Sequence, residues 1–265
     1  MLTVQLNPGL RGGKWARLRP LCGHDEASLG DADSVDPIAF LDRLLMETPG
    51  TTVGPGKAEG LAVCDCDRLF AAIYLKYYGN NIEGTIGCRG CSESFELNFS
   101  LQDWLSNVRN GNGRSAVGPD EEGVYTLSDG RRFRLPTAAD QRSVIGLEAG
   151  ARTAALFKRC VVAGDPLVDP ELLQAAMGEV GPLLDLDLDA PCPNCGAVHR
   201  VHFDIQSYLM RVLGHEKRFL VREIHLIAVA YGWRYGEILS LTREDRRAFV
   251  RLIQAERRAR RRVGP

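Results

Sequence analysis

Two stretches of the chain, residues 86–105 and 190–209, repeat one pattern of apolar and polar positions. Each opens with a C-x-x-C turn, continues with apolar residues at every second position and ends in the start of a helix. The alternation predicts a strand after each turn. At an offset of 104 residues the two stretches align without a gap, and a duplicated pattern predicts two structurally related halves. The identities are Cys88/Cys192, Cys91/Cys195, Phe99/Phe203, Gln102/Gln206 and Leu105/Leu209.

A helix is predicted before each of these stretches. Apolar residues at helical spacing over 69–77, followed by Gly79 as a C-terminal cap, predict an amphipathic helix before the first. An Asp-Pro pair at the start of residues 169–180 predicts a capped helix before the second. Helix, strand, cysteine turn, strand and helix therefore occur twice.

The segment between the two halves has a different pattern. Residues 107–123 are rich in glycine and polar residues and predict an exposed, flexible linker. VYTL, the turn SDG and RRFRL follow it and predict a hairpin. Thr137 and Asp140 then have the spacing of a capping box, which predicts a helical stretch that reaches Cys160.

After residue 214 the pattern becomes helical only. Apolar positions over 216–231 predict one broad apolar helix face, and Tyr231-Gly232-Trp233 predicts a break. Thr242 and Asp245 predict the cap of a last helix. The order of elements predicts an α+β fold with two related zinc-knuckle hairpin and helix halves and a helical C-terminal extension. The predicted divisions are an N-terminal segment of unassigned role (1–36), a first repeat (37–106), a linker (107–123), a hairpin, helices and second repeat (124–214), and the extension (215–265).

Composition narrows the class of protein. The chain has 265 residues, of which 45% are hydrophobic and 25% charged, so it can bury a sizeable core and is not disordered as a whole. No run approaches the roughly 18 apolar residues that a membrane helix requires, and the N-terminus lacks a basic-then-apolar export pattern. We therefore expect no membrane span and a place in the cytoplasm.

The cysteines carry the main chemical signal. Six of the eight fall in close pairs, and two pairs have the C-x-x-C spacing that is typical of metal ligation in a reducing compartment. Four soft thiolates at tetrahedral positions are the preferred shell of structural zinc. Reduced core thiols are the second interpretation, and redox work is disfavoured because a redox pair should begin a helix in a βαβ setting.

Three ligand sets are compatible with the spacing. The favoured set joins the two repeats through Cys88, Cys91, Cys192 and Cys195, since equivalent half-sites meet across a pseudo-twofold axis. A second set would combine Cys64 and Cys66 with the first C-x-x-C pair. In a third, His199 or His202 would complete the second pair, although both histidines lie on a strand and are expected to face neighbours there.

Charge is distributed unevenly along the chain. The last 25 residues hold nine arginines and three acids, which makes them +6, while the other 240 residues sum to −7. The arginine-rich end is interpreted first as a protein contact, second as a solvated helix end and third as a nucleic-acid contact. The acidic run over 183–189 is interpreted as a half-buried edge strand, since the spacing of a calcium loop is absent.

Signatures of catalysis are missing from the sequence. It contains no phosphate-binding glycine loop, no H-E-x-x-H and no nucleophile elbow. His225 lies in an apolar helix pattern, where packing is the default interpretation. We therefore expect a protein that is not an enzyme and has no small-molecule substrate.

Several motifs together resemble the T-even-type phage baseplate protein family of contractile tails and phage-derived injection systems. Cys192-Pro193-Asn194-Cys195-Gly196 is similar to the family's C-P-x-C-G knuckle, and Arg134 to Asp140 and Leu156 to Cys160 also resemble it. The likeness is strongest in residues 223–247 and covers about residues 60–255. The first knuckle lacks the proline, Cys64 to Arg68 departs from the family's usual helix start, and residues 1–36 match nothing in it.

The resemblance implies a non-enzymatic role in a contractile-tail baseplate, as a structural component or as an assembly factor that leaves. It also implies structural zinc, other baseplate, hub or tail proteins as partners, and a place in the cytoplasm of the producing bacterium or in the particle. A zinc-ribbon nucleic-acid-binding protein that uses its arginine-rich C-terminus is the alternative. The residues expected to contact a partner are Phe219, Ile224, His225, Tyr231, Trp233, Ile238, Leu239, Arg246 and Arg247.

Overall fold

The computed structural model describes residues 1–11, 13–29, 36–47, 53–109 and 115–263. Helices and small antiparallel sheets alternate along them, so the α+β prediction is confirmed. The strands are β1 (Leu2–Leu10), β2 (Gly13–Leu18), β3 (Asn81–Gly87), β4 (Ser94–Ser100), β5 (Ala116–Val117), β6 (Val124–Leu127), β7 (Arg132–Arg134), β8 (Val161–Ala163), β9 (Asp185–Pro191) and β10 (Val198–Asp204). The α-helices are α1 (Gly23–Ala27), α2 (Pro37–Leu44), α3 (Val63–Tyr78), α4 (Leu101–Arg109), α5 (Ala138–Ser143), α6 (Ala149–Cys160), α7 (Pro170–Val180), α8 (Ile205–Tyr231), α9 (Tyr235–Ser240) and α10 (Arg243–Val263).

The largest apolar core forms around α3, which packs against β1, α2 and α8. Leu69, Phe70 and Ile73 are buried there, and Gly79, at φ 84°, ends the helix as predicted. A positive φ is a conformation that glycine adopts without the steric cost that other residues incur. The predicted amphipathic helix is thus the central element of the core.

The N-terminal segment, which the sequence left without a role, belongs to this core. The β1–β2 hairpin lies on α3, and α1 lies against α8 and α9. Leu6, Leu18 and Leu21 are almost completely buried. These contacts join residues far apart in sequence, so no local pattern could have indicated them.

The duplicated stretches form two hairpins with the same register. In β3–β4, Asn81 pairs with Ser100 and Gly87 pairs with Ser94. The pairs in β9–β10 fall at the same offset of 104 residues, from Asp185 with Asp204 to Pro191 with Val198. The equivalent rings of Phe99 and Phe203 meet edge to face with centroids 5.0 Å apart. The two repeats therefore share one architecture and face each other.

A four-stranded sheet, ordered β5-β6-β7-β8, lies between the repeats in sequence. The predicted VYTL and RRFRL hairpin is its β6–β7 pair. Two expectations need correction here. Part of the predicted linker, Ala116–Val117, is an edge strand, while residues 110–114 lie outside the described part of the chain. The helical stretch to Cys160 is interrupted between α5 and α6, where Gly146 has a φ of 89°.

The helices α8, α9 and α10 form the C-terminal unit, which has an apolar cluster of its own although α8 also packs on the main core. Asp204 accepts hydrogen bonds from the first turn of α8, and the helix then runs without a break to Gly232, at φ 70°. The predicted division at 214/215 therefore falls inside one 27-residue helix. α9 and α10 turn back onto it, and Thr242 caps α10 as predicted, through the bond from the Asp245 amide. No helix within the described ranges is long and apolar enough to cross a membrane.

Candidate metal centre

Each C-x-x-C pair lies in a tight turn at the end of its hairpin. In the first turn the Cys88 amide donates to the Glu93 carbonyl oxygen at 2.8 Å, and the Ser92 amide donates to the Cys88 carbonyl oxygen at 2.9 Å. The second turn repeats both bonds at the equivalent residues, Cys192, Gly196 and Ala197. The bonds fold the backbone so that both sulfurs of each turn point the same way.

The two turns differ at one backbone position. Gly196 has a φ of 75°, and the equivalent Ser92 has a φ of 62°. The left-handed conformation is unstrained for glycine but costs roughly 1–2 kcal/mol for a residue with a Cβ atom. The first turn therefore holds a strained serine where the second has the residue that suits the fold.

The four sulfurs of the favoured set converge between the hairpins. The Cys88 and Cys195 sulfurs are 3.5 Å apart, the Cys91 and Cys192 sulfurs are 3.8 Å apart, and all four lie within 4.8 Å of one another. These distances exceed a covalent disulfide of about 2.05 Å, so the thiols are free. The arrangement is compatible with a metal ion held by one sulfur from each of four cysteines.

The alternative set with Cys64 and Cys66 is wrong. Both residues lie on α3, where they are buried in two other apolar clusters. Their sulfurs face carbonyl oxygens, Cys64 that of Asn7 at 3.6 Å and Cys66 that of Ala58 at 3.9 Å. Burial raises the pKa of Cys64 to about 12 and raises the pKa of Cys66 as well. Neither sulfur belongs to the group that converges between the hairpins, so both residues are packing residues.

The two histidines of the third set have different surroundings. His199 Nε2 lies 3.3 Å from Cys88 Sγ, and its ring lies beside that of Phe95. His202 lies on the exposed side of the strand and faces Asp185 and Asp187 at 3.4 and 3.3 Å. His199 is therefore a neighbour of the cysteine cluster rather than a substitute for one of its thiols. The sequence did contain the signal, because residue 199 shares a strand face with the inward-facing Val201 and Phe203.

The pKa values of Cys88 and Cys91 are shifted in opposite directions. The Cys91 backbone amide, followed by that of Gly90 and the side chains of His199 and Cys195, lowers the pKa of Cys88 to about 5. Although the Glu93 amide favours the thiolate at Cys91, desolvation and the other sulfurs raise the pKa of Cys91 to about 12. Four sulfurs this close cannot all ionise without a cation between them, because adjacent thiolates repel. A bound cation removes that repulsion.

Few buried apolar residues surround the four cysteines. The cluster that contains the centre has four buried members, Cys88, Phe95, Ala190 and Cys192. Cys91 is half-buried and Cys195 is exposed. The apolar cluster at this end of the hairpins is therefore much smaller than the core around α3.

The residues expected to contact a partner divide into two groups. Phe219, His225 and Tyr231 are exposed, Phe219 and Tyr231 by 44% and 41%, and Ile224, Trp233 and Arg247 are half-buried. Ile238, Leu239 and Arg246 are buried in the chain itself, which corrects their assignment as surface residues. Their side chains therefore contact other residues of this chain rather than solvent.

Arg246 is buried because it belongs to an internal charge cluster. Its Nε donates to Glu223 Oε2 at 2.6 Å, and its guanidinium also bonds Glu26 on α1. Arg243 forms ion pairs with Glu26, at 3.2 Å, and with Glu216. Desolvation raises the pKa of Glu26, which Arg246 and then Arg243 counteract. Paired charges of this kind connect α1, α8 and α10, and removal of one partner would leave a buried charge unpaired.

Two of the motifs that carry the family resemblance meet at one carboxylate. Asp140 Oδ2 accepts from Arg134 at 2.5 Å, and Oδ1 accepts from Arg159 at 2.8 Å. The Arg134 and Arg159 bonds, together with those from Thr137, hold the pKa of Asp140 well below its usual range despite desolvation. These motifs therefore fix α5 against α6 and β7.

No protein-family model, curated protein or solved structure matches this chain. The resemblance to baseplate proteins therefore rests on the sequence motifs. The metal centre rests on geometry, which is independent of those motifs.

Proposed function

We propose that the protein is a zinc-stabilised, non-enzymatic structural component or assembly factor of a contractile-tail or injection-system baseplate. The convergence of four sulfurs from two equivalent turns is the observation that carries the zinc assignment. A Zn–S bond of about 2.3 Å places tetrahedral sulfurs about 3.8 Å apart. The 3.5 and 3.8 Å separations are close to that value, and all four sulfurs lie within 4.8 Å of one another.

A structural role follows from the ligand set. Catalytic zinc sites keep a coordination position open for water or substrate, whereas four cysteines fill the shell. The ion would join two hairpins whose cysteines are 101 and 107 residues apart in sequence. Zinc at this point would fix the relative pose of the two repeats, since Phe95 and Ala190 are the buried members of the surrounding cluster besides the cysteines.

The baseplate assignment is supported by the C-terminal motifs. Residues 223–247, where the resemblance is strongest, fold into the unit of α8, α9 and α10. This unit presents Phe219, His225 and Tyr231 to solvent and is anchored to the rest of the chain by the buried arginines. In this proposal the protein acts as a scaffold: the rigid pair of repeats holds the C-terminal unit in place, and that unit docks on a partner.

Elemental analysis tests the metal assignment. Elemental analysis of the purified protein should give one zinc per chain, and Cys192→Ser with Cys195→Ser should remove it while Cys22→Ser, at a cysteine outside the centre, should not. Iron in place of zinc, or no stoichiometric metal, would contradict the zinc assignment.

The cellular role needs a separate experiment. Disruption of the gene in the producing bacterium should abolish sheathed contractile particles in electron micrographs, and the wild-type gene should restore them. Restoration by the Cys192→Ser and Cys195→Ser variant at equal protein level would contradict the structural role of the centre. Normal particles without the gene would contradict the baseplate assignment.

A further inference from the structure

An open groove runs between α8 and α10 on the surface of the C-terminal unit. Two adjoining cavities of about 360 and 370 Å³ form it and share Arg222, Leu226 and Gln254. Phe219 and Val250 line the first cavity with Leu226, which gives the groove an apolar floor. Arg247 and Arg258 line it eleven residues apart on α10, about 17 Å at 1.5 Å per residue, which equals three helical turns.

The walls of the groove are positively charged. Arg222, Arg251, Arg257 and Arg258 line it, and none of these four forms an ion pair with a carboxylate in the described part of the chain. The lining acid is Glu223, which already pairs with Arg246 and Arg247. The groove therefore carries a surplus of guanidinium groups that the chain does not neutralise.

The rest of the molecule has a net charge of the opposite sign. The last 25 residues sum to +6, while the other 240 sum to −7. Concentrated charge of one sign raises the association rate with a partner of the opposite sign. The distribution points to an anionic partner at this surface.

We propose that this groove binds an acidic amphipathic helix of a partner protein. The partner's apolar side chains would lie on Phe219, Leu226 and Val250, and its carboxylates would form bidentate bonds with the arginines. The inference rests on the proposed function, because it gives a chemistry to the docking surface of the scaffold.

The apolar floor favours a protein over a nucleic acid. A phosphate backbone needs positive charge along its path but gains nothing from contact with aliphatic side chains such as Leu226 and Val250. An amphipathic helix uses both parts of the groove at once. The spacing of Arg247 and Arg258 leaves room for about three turns of such a helix.

Binding of three probes to the full chain tests the proposal. The first probe is a synthetic helical peptide with Leu at i, i+3, i+4 and i+7 and Glu at the remaining positions. The second replaces each Glu with Lys, and the third is single-stranded DNA. Fluorescence anisotropy should show saturable binding of the Glu peptide, weakened but not abolished at about 0.5 M salt because the apolar contacts remain.

Charge-reversal variants locate the binding site. Arg222→Glu with Arg251→Glu should weaken binding of the Glu peptide by about tenfold or more, since Arg is a frequent source of interface binding energy. A matched control, Arg152→Glu with Arg200→Glu, changes the net charge equally at exposed positions elsewhere and should leave affinity unchanged.

Several results would overturn the proposal. They are no saturable binding of the Glu peptide below about 1 mM, equal loss in both variant pairs, or tighter binding of the Lys peptide or the DNA. Self-association that the Arg222→Glu and Arg251→Glu variant abolishes would place a second copy in the groove instead. Zinc content measured on the same samples separates these outcomes from failure of the metal assignment.

Discussion

The two ends of the duplicated hairpins are stabilised in different ways. At the base, Phe99 packs edge to face on Phe203, and Ile82, Leu101 and Ile205 belong to the large core around α3. At the tip, the cluster has four buried members, and two of them are the cysteines Cys88 and Cys192. Apolar burial at about 25 cal/mol per Å² can hold the base but offers little at the tip. We infer that the same fold relies on packing at one end and on a metal ion at the other.

The largest expected effect comes from removal of the ligands at the tip. Cys192→Ser with Cys195→Ser should abolish metal binding and open the tip, since structural zinc contributes about 10–16 kcal/mol in model peptides. Hydrogen exchange should accelerate for the amides of residues 86–97 and 190–201, while the amides of α3 stay protected. Equal acceleration in α3 would show that the tip and the base are one cooperative unit.

The complementary change acts at the base. Phe203→Ala removes a ring that is 6% exposed and should lower the free energy of unfolding by about 3–5 kcal/mol. The four sulfurs lie outside this contact, so the metal content should stay at one per chain. Urea unfolding and elemental analysis check the two statements, and loss of metal from the folded variant would contradict the division between the ends.

The base and the tip should respond to pH in opposite directions. Asp67 is buried on α3 and accepts hydrogen bonds from the Leu184 amide and Gln206 Nε2. Desolvation raises its pKa to about 6, against about 4 in the unfolded chain. A raised folded-state pKa stabilises the fold below the unfolded value, and that contribution is lost as pH rises through about 6. Metal binding at the tip instead strengthens as pH rises, because protons compete for thiolates.

Asp67→Asn isolates the contribution of the base. Between pH 4 and pH 7 the variant should gain about 2 kcal/mol of stability relative to the wild type in urea unfolding. Asp189→Asn, at an exposed position of β9, serves as the control for the loss of one carboxyl group. A constant difference between Asp67→Asn and the wild type at both pH values would contradict the raised pKa.

A smaller effect is expected from the neighbour of the cysteines. His199→Ala removes the ring nitrogen 3.3 Å from Cys88 Sγ and should weaken metal affinity about tenfold, the lower end of the range for groups that support a ligand. His202→Ala, on the exposed side of the same strand, should leave the affinity unchanged. Competition with a chromophoric chelator measures both, and equal affinities would assign His199 to packing alone.

The smallest change should stabilise the protein. Ser92→Gly places glycine at the φ of 62° that Gly196 has in the second turn at 75°. Release of about 1–2 kcal/mol of strain, less roughly 0.5–1 kcal/mol for the extra entropy of glycine in the unfolded chain, should leave a net increase of about 0.5–1 kcal/mol in the free energy of unfolding. Thermal unfolding of the metal-loaded protein measures it. A loss of stability would mean that the two turns are not equivalent.

Local signals explain what could be predicted from the sequence. The caps at Gly79, Thr137 and Thr242 and the β6–β7 hairpin depend on residues within a few positions of each other, and the duplication is a repeat at one fixed offset. The meeting of the two C-x-x-C turns was predicted because equivalent half-sites were expected to pair. Each of these features is repeated or spaced in a way that one sequence can reveal.

Long-range contacts explain what could not be predicted. Arg246 lies on a helix, and its local sequence does not indicate burial. Its guanidinium is internal because it pairs with Glu26, which is 220 residues away in sequence. The N-terminal hairpin packs on α3, although no motif in residues 1–36 indicates this contact. The continuity of α8 through residue 214 also depends on packing, since the change of composition there suggested a boundary.

The coordination of the ion tests the central claim most directly. X-ray absorption at the zinc edge of the purified, full-length protein should show four sulfur scatterers at about 2.3 Å, one from each of Cys88, Cys91, Cys192 and Cys195. The same spectrum should be lost when Cys192 and Cys195 are replaced. A shell that contains nitrogen or oxygen, or a protein without stoichiometric zinc, would contradict an ion held by sulfurs from both repeats.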